Sequence, residues 1–339
     1  MDCEKIPKRI CKGEKSLALN TEILSQKNEY GYYEIRMESV GGQGANLAGK
    51  ILADAGILHM GLNGVNFASY GSEKKGTPVK SFIKFSEGDK DIRVNSPVVE
   101  PHLLVVFHTN LAGKVAVMQG VKPGSKVIVN TPKKCSEIRD LLQVPGGITL
   151  YCVDAMKIAV EEKVRINTTI MGTICRAVDF LTKDAVYASI KDIFGHKYPH
   201  LLEPNLNAFE RGHEEVDIME VADDAKYEVQ PFQPFHPKMG WKNAPIGGVI
   251  TNPGNTVLND MSMSRSGFYP QWHEDLCINC AECDSVCPDQ SMIFVTKKDD
   301  KGVEKRFMTG VDMQHCKGCL RCVDVCPKQA LTAEREIED

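Results

Sequence analysis

A twelve-residue cysteine pattern occurs twice near the carboxyl end of this chain. Cys277-Ile-Asn-Cys280-Ala-Glu-Cys283-Asp-Ser-Val-Cys287-Pro288 returns 39 residues later as Cys316-Lys-Gly-Cys319-Leu-Arg-Cys322-Val-Asp-Val-Cys326-Pro327. Eight of the thirteen cysteines lie in these two copies; Cys3, Cys11, Cys135, Cys152 and Cys175 are scattered over the rest. In a secreted chain such a density would read as a disulfide framework. The start, MDCEKIPKRICKGEK, is basic but has no apolar stretch behind it, so secretion is not expected and the thiols point to metal.

The spacing narrows the metal further. Two copies of C-x2-C-x2-C-x3-C-P are the bacterial-type pattern for two [4Fe-4S] clusters. Three thiolates two residues apart in a tight loop can each reach a different iron on one face of a cubane. The fourth follows a longer gap, at the start of a short helix, and points to the other cluster; the proline behind it disfavours continued helix and fixes the turn. The expected ligand sets are therefore Cys277, Cys280, Cys283 and Cys326 for one cluster, and Cys316, Cys319, Cys322 and Cys287 for the other. Zinc ribbons instead pair C-x2-C knuckles across a longer loop. Crossed ligation brings the two clusters close, which suits electron relay, and thiolate-only coordination implies a low potential.

Upstream the pattern changes to alternating strands and helices. Tyr33 to Val40 and Val79 to Phe85 alternate like strands; Leu103 to Phe107, Lys126 to Asn130 and Ile148 to Val153 are short apolar runs that suit strands buried on both faces. Helices are expected at Ala45 to Leu58 (with Leu47, Ile51, Leu52, Ala55 and Leu58 on one face), Leu111 to Gln119, Ser136 to Leu142, Ala155 to Glu162, Thr169 to Leu181, Asp184 to Phe194 and Glu203 to Glu220. The expected fold is α/β, a mostly parallel sheet with flanking helices, followed by a small α+β ferredoxin-like domain with two clusters. The expected division is an N-terminal extension (1–30), the α/β domain (31–225), an extended strap (226–267) and the cluster domain (268–339). The strap carries six prolines and five glycines between Val229 and Pro270. Its Phe232, Phe235, Trp241, Ile246, Val249 and Ile250 are too apolar for a solvated tether, so it should pack against another surface.

Composition excludes several classes. With 42% hydrophobic and 25% charged residues the chain is neither disordered nor fibrous. A net charge of −4 gives no footprint for nucleic acid, and no apolar run approaches the ~20 residues of a membrane span; a cytoplasmic protein is expected. The cluster domain, with nine basic and fourteen acidic residues, carries −5 and leaves +1 for the remainder. No G-x-S-x-G, Walker A, H-E-x-x-H or kinase set is present, nor the Gly-Asp-Gly and Asn-Asn arrangement that usually holds magnesium and thiamine diphosphate. A carbon-based cofactor would have to sit in another chain. Cys152 and Cys175 stand in apolar surroundings as buried thiols.

Gly41-Gly42-Gln43-Gly44 occupies a strand-to-helix turn. The dinucleotide fingerprint would need a third glycine where Leu47 stands. The free amides of this turn could receive an anion or face a substrate region; equally, the turn could serve close packing of helix on sheet.

These residues resemble the thiamine-dependent 2-oxoacid:ferredoxin oxidoreductases. Tyr33 to about Ile193 is similar to the gamma subunit through G-G-Q-G-x-x-x-A-G-K-I-L (Gly41 to Leu52) and Ser69-Tyr70-Gly71. Trp241 to Leu331 is similar to the delta subunit through W-K-x-x-P-I-G-G-V-I-x-x-P-G-N (Trp241 to Asn255) and both cysteine repeats. The chain thus resembles a gamma–delta fusion. The resemblance implies alpha and beta partner subunits carrying thiamine diphosphate, Mg2+ and a further [4Fe-4S] cluster. It also implies an external ferredoxin as acceptor and a dimer of heterotrimers. Where the gamma family commonly reads Pro-Glu-x-Arg-Gly-Gly after Ser-Tyr-Gly, this chain has Ser72-Glu73-Lys74-Lys75-Gly76-Thr77. Arg and Lys are not equivalent in planar anion recognition, so the use of coenzyme A is open. Oxalate oxidoreductase, a relative independent of coenzyme A, becomes the candidate beside enzymes of pyruvate and other 2-oxoacids. A stand-alone iron–sulfur carrier with a ligand-binding or docking α/β domain is the alternative, and a nicotinamide-dependent reductase using Gly41 to Gly44 a third reading.

Overall fold

Apolar runs short enough to be strands and buried on both faces need a layer of helix on each side, and that is the architecture found. The computed structural model describes residues 23–71, 76–113, 115–234, 239–248, 257, 260–298 and 302–336. Cys3, Cys11, Ser72 to Lys75, Phe235 and Val249 to Asn255 lie outside the described residues, as does most of the expected N-terminal extension.

Seven strands form one sheet: β1 (Tyr33–Val40), β2 (Asn63–Tyr70), β3 (Pro78–Ser86), β4 (Leu103–Val106), β5 (Lys126–Asn130), β6 (Thr149–Val153) and β7 (Asp217–Glu220). Their order is β2-β3-β1-β4-β5-β6-β7. β1, β4, β5 and β6 are parallel neighbours, while β3 and β7 run against them. Along β4 the side chains alternate between two cores: Leu103 and Val105 join one, Leu104 and Val106 the other, all fully buried. The first core lies under α1 (Ala45–Met60), α3 (Ala155–Glu161), α4 (Ile166–Ala177), α5 (Lys183–Lys197) and α6 (Leu202–Glu214); the second lies under α2 (Cys135–Leu142). The α/β reading with a mostly parallel sheet therefore holds.

Four expectations change. The alternation of β1 suggests a half-solvated strand, yet all eight residues are buried. Its charged face is covered by a loop: Arg36 donates to the carbonyls of Val99 (3.1 Å), Val117 (2.8 Å) and Gln119 (2.7 Å) and pairs through Nε with Glu38 at 3.1 Å. Lys80 also reaches Glu38, at 3.0 Å. That network explains the second change. Leu111 to Gln119 is not a helix; only a 3-10 turn forms at Thr109–Gly113, and the carbonyls beyond it turn to Arg36 instead of closing helical bonds. Third, the helix expected to run to Glu220 ends at Glu214, and Asp217–Glu220 adds a strand antiparallel to β6. Fourth, Ile51, Leu52 and Ala55 of α1 are buried as expected, but Leu47 and Leu58 face outward, Leu58 with 66% exposure.

α4 and α6 cross with their backbones nearly touching. A Cβ on Gly172 would stand 2.0 Å from the Phe209 carbonyl oxygen, and one on Gly212 would stand 2.0 Å from that of Thr169. Thr173 Oγ1 donates to the Gly212 carbonyl at 2.6 Å across the same crossing.

Past β7 the chain follows the domain edge, with Arg139 paired to Asp224 at 2.6 Å and Gly120 N–H bonded to the Gln230 carbonyl at 2.8 Å. The described part of the strap then leaves its own chain: Trp241 is 89% exposed and Ile246 fully so. Packing of the strap against this chain is thus not found there. At residue 260 the chain returns, and Met263 inserts into the second core.

The carboxyl-terminal module has two ribbons, β8 (Phe268–Trp272) with β11 (Leu331–Arg335) and β9 (Met292–Lys298) with β10 (Glu304–Val311), plus α7 (Glu282–Val286) and α8 (Arg321–Val325). Its small buried cluster is Met292, Met308 and Leu331 together with Cys283 and Cys322.

Replacing Gly172 by Ala is expected to destabilise the chain by about 1–3 kcal/mol, because a backbone carbonyl cannot give way as a side chain would. A lowered urea midpoint would show it; an unchanged midpoint would mean that α4 and α6 shift apart at no cost.

Candidate metal centre

The two cysteine loops repeat in backbone as well as in sequence. Left-handed residues fall at matched positions: Asn279 and Gly318, Ala281 and Leu320, Gln290 and Gln329. Non-glycine residues pay a steric cost there, so both loops adopt this path against local preference. Ala281 and Leu320 are the N-caps of α7 and α8. Asn279 is held by its Oδ1, which accepts from the Met308 N–H of β10 at 2.8 Å.

The eight thiols gather in two crossed groups. Cys277, Cys280, Cys283 and Cys326 line one cavity, with Trp272, Phe294 and Met308 in its wall. Cys287, Cys316, Cys319 and Cys322 line a second, walled by Pro270, Ser291 and Met292. Each cavity takes three thiols from one repeat and the fourth from the other. Among the described residues no three His, Cys, Asp or Glu side chains stand close enough to share a single ion; the thiols surround a volume.

Both cavities fit a polynuclear thiolate-bound group. Ser291 N–H donates to Cys287 Sγ and Ala330 N–H to Cys326 Sγ, each at 3.2 Å and again 39 residues apart. Trp272 Nε1 and Ser291 Oγ are buried without hydrogen-bond partners among the described residues, and a sulfur-rich anion would accept from them. Burial pushes the Cys283 thiol up to about 11 and the Cys322 thiol up to about 12, with neighbouring thiols acting in the same direction. Deprotonating such groups together is costly unless a cationic centre compensates them. Cys280 and Cys319, the middle ligands of the two loops, are exposed.

The remaining described cysteines are buried thiols: Cys135, Cys152 and Cys175 are each less than a tenth exposed. Burial pushes Cys175 up to about 12, while a hydrogen bond with Cys135 and then burial push Cys152 up.

The glycine turn lies between β1 and α1, at the carboxyl end of the sheet where doubly wound folds usually take ligands. Two of its amides are already used: Gly41 N–H bonds to the Thr77 carbonyl at 2.9 Å and Gln43 N–H to that of Val40 at 3.2 Å. The buried Gln43 side chain donates to the carbonyls of Met263 (2.8 Å) and Arg265 (3.4 Å). The turn and the second cysteine loop share a crevice, with Gly41, Gly42 and Gln43 on one wall and Lys317, Gly318 and Cys319 on another. Arg265, isolated in a Met-Ser-Met-Ser-Arg-Ser run, carried no spacing signal that would single it out.

An α/β domain joined to a module with two thiol-lined cavities is the arrangement of an iron–sulfur protein. Residues 34–215 match the family model described as "Pyruvate ferredoxin/flavodoxin oxidoreductase", and residues 271–333 match the "4Fe-4S dicluster domain". The chain belongs to the pyruvate ferredoxin/flavodoxin oxidoreductase family. Pyruvate synthase subunit PorC of Thermotoga maritima is 34% identical over 192 residues, covering 56% of this chain and 97% of the relative. The pyruvate/ketoisovalerate oxidoreductases common subunit gamma of Thermococcus litoralis is 38% identical over 164 residues, covering 48% of this chain and 86% of that one. The crystal structure of pyruvate oxidoreductase subunit PORC from Thermotoga maritima covers 56% of this chain and 99% of its own, at 29% identity and a TM-score of 0.49. No helix among the described residues is long and apolar enough to cross a membrane.

Removing iron with a chelator is expected to open residues 268–336 to limited proteolysis, because the module's apolar core is so small, while the α/β domain survives as a fragment. Mass spectrometry of the digest reads the outcome. Equal resistance of both parts would show that apolar contacts alone hold the module.

Proposed function

We propose that this chain is the electron-transfer subunit of a multi-subunit 2-oxoacid:ferredoxin oxidoreductase whose thiamine diphosphate, Mg2+ and a further [4Fe-4S] cluster reside in alpha and beta partner chains. Cys277, Cys280, Cys283 and Cys326 would hold one [4Fe-4S] cluster, and Cys316, Cys319, Cys322 and Cys287 the other. The carrying observation is the pair of cavities, each lined by four thiols in the crossed combination. When bound, such clusters accept and release single electrons at low potential. The chain's own part is to hold eight thiolates, to direct the Ser291 and Ala330 amides at two of them, and to keep the quartets side by side. External ferredoxin is the proposed acceptor, and a dimer of heterotrimers the proposed assembly. Trp241 and Ile246, exposed on the strap, support a covering partner chain.

A gamma chain named as common to pyruvate and ketoisovalerate oxidoreductases fits a subunit that does not itself choose the acid. The change to Lys75 and Thr77 favours a member that dispenses with coenzyme A, and oxalate is the acid we propose on that ground.

Substituting Cys280 or Cys319 by Ser is expected to remove about half of the roughly eight irons and abolish ferredoxin reduction while leaving the complex assembled. Retention of all the iron in both variants would refute the ligand assignment. The native complex should be assayed with pyruvate, 2-oxoglutarate, branched-chain oxoacids and oxalate, each with and without coenzyme A. Oxalate oxidation that needs no coenzyme A is expected; turnover of pyruvate alone, dependent on coenzyme A, would replace oxalate as the substrate. Purification without larger chains or thiamine diphosphate would point to a stand-alone carrier.

A further inference from the structure

We propose that Arg265 is a positioning residue that fixes the second cysteine loop and makes the reduction potential of the cluster held there less negative, with Gln43 of the glycine turn as its anchor. This rests on the assignment of Cys316, Cys319, Cys322 and Cys287 to one cluster.

Arg265 is buried, and every arm of its guanidinium is engaged. Nε donates to the Cys316 carbonyl at 3.0 Å, Nη2 to the Met313 carbonyl, and Nη1 pairs with Glu336. The loop is shaped to receive it: a Cβ on Gly318 would come within 2.4 Å of the Phe268 carbonyl oxygen and 3.0 Å of Arg265 Cγ. Behind the arginine, Gln43 grips its backbone carbonyl and that of Met263, whose side chain is fixed in the core of the α/β domain. A continuous path thus runs from the glycine turn to the main chain of a cluster ligand.

Among the described residues the first loop has no such device. Asn279 stands where Gly318 stands in the second, and the arginine near it, Arg306, is largely exposed and paired with Asp284 at 3.0 Å. Two cavities alike in thiols therefore differ in charge. A buried cation stabilises the reduced, more negative state of a nearby cluster, and hydrogen bonds and net charge set such potentials. In this arrangement the Gly41–Gly44 turn latches the cluster module into the crevice at the carboxyl end of the sheet.

The test is an EPR-monitored redox titration of the holoenzyme carrying Arg265→Gln, Arg265→Lys or Glu336→Gln, with iron measured first. Unaltered holoenzyme whose iron shows no pair of clusters in this chain would overturn the cluster assignment and this proposal with it. With both clusters present, Arg265→Gln should move one of their two waves to a more negative potential and leave the other nearly in place. Arg265→Lys should move the same wave less. Glu336→Gln, which removes the counter-charge, should move it the opposite way. Unchanged waves in Arg265→Gln at full iron content would overturn the proposal. Should Arg265→Gln lose iron, Glu336→Gln decides: a positive shift of one wave supports the proposal, and no shift overturns it.

Discussion

Neither cysteine loop of the carboxyl-terminal module can be completed without the other. Each cavity draws three thiols from its own repeat and one from its counterpart. This crossing ties Cys287 and Cys326, which close α7 and α8 as C-caps and do not open a helix as the spacing suggested, into groups far away in sequence, and so fixes how the repeats pack. Among the described residues the buried apolar side chains of the module, cysteines apart, are Met292, Met308, Ala330 and Leu331, and chains with so small a core need another source of stability. Iron–sulfur clusters held as proposed would supply both the organising contacts and the compensation for thiols that burial holds above their ordinary range.

The α/β domain solves a different problem. Its central strands are buried on both faces between two separate cores, and the carboxyl end of its sheet is left as a platform. In doubly wound folds that edge usually takes a small ligand. Here Gln43 turns towards the main chain of residues 263 to 265, and the edge meets the second cysteine loop instead. The glycine turn and the cysteine repeats, unconnected in sequence, thereby become neighbours.

How much of this could be read from the sequence depended on whether the physical signal was local. Cysteine spacing is local, and so is a run such as Leu103 to Val106 that can only be a strand buried on both faces. β2 was not legible: its Asn-Gly start and its Ala and Ser are poor strand formers, and it is held by antiparallel pairing with β3, where the tilted rings of Phe67 and Phe82 meet at 5.2 Å. The cover over the charged face of β1 was not legible for a similar reason. Arg36 is satisfied by carbonyls more than sixty residues away, and the same long-range demand dissolves the helix expected at Leu111 to Gln119. Leu58 points outward on an apolar stripe that gave no hint of where the core ends. Arg265 escaped notice because a single arginine acquires meaning only from the three groups that meet it.

The most direct test of the paired, crosswise-bound clusters is low-temperature EPR of the anaerobically prepared, dithionite-reduced protein. Two reduced clusters this close should split and broaden each other's lines, and substituting Cys287 should remove the cluster of the second loop, not that of its own. Sharp, independent signals, or zinc without inorganic sulfide, would contradict it.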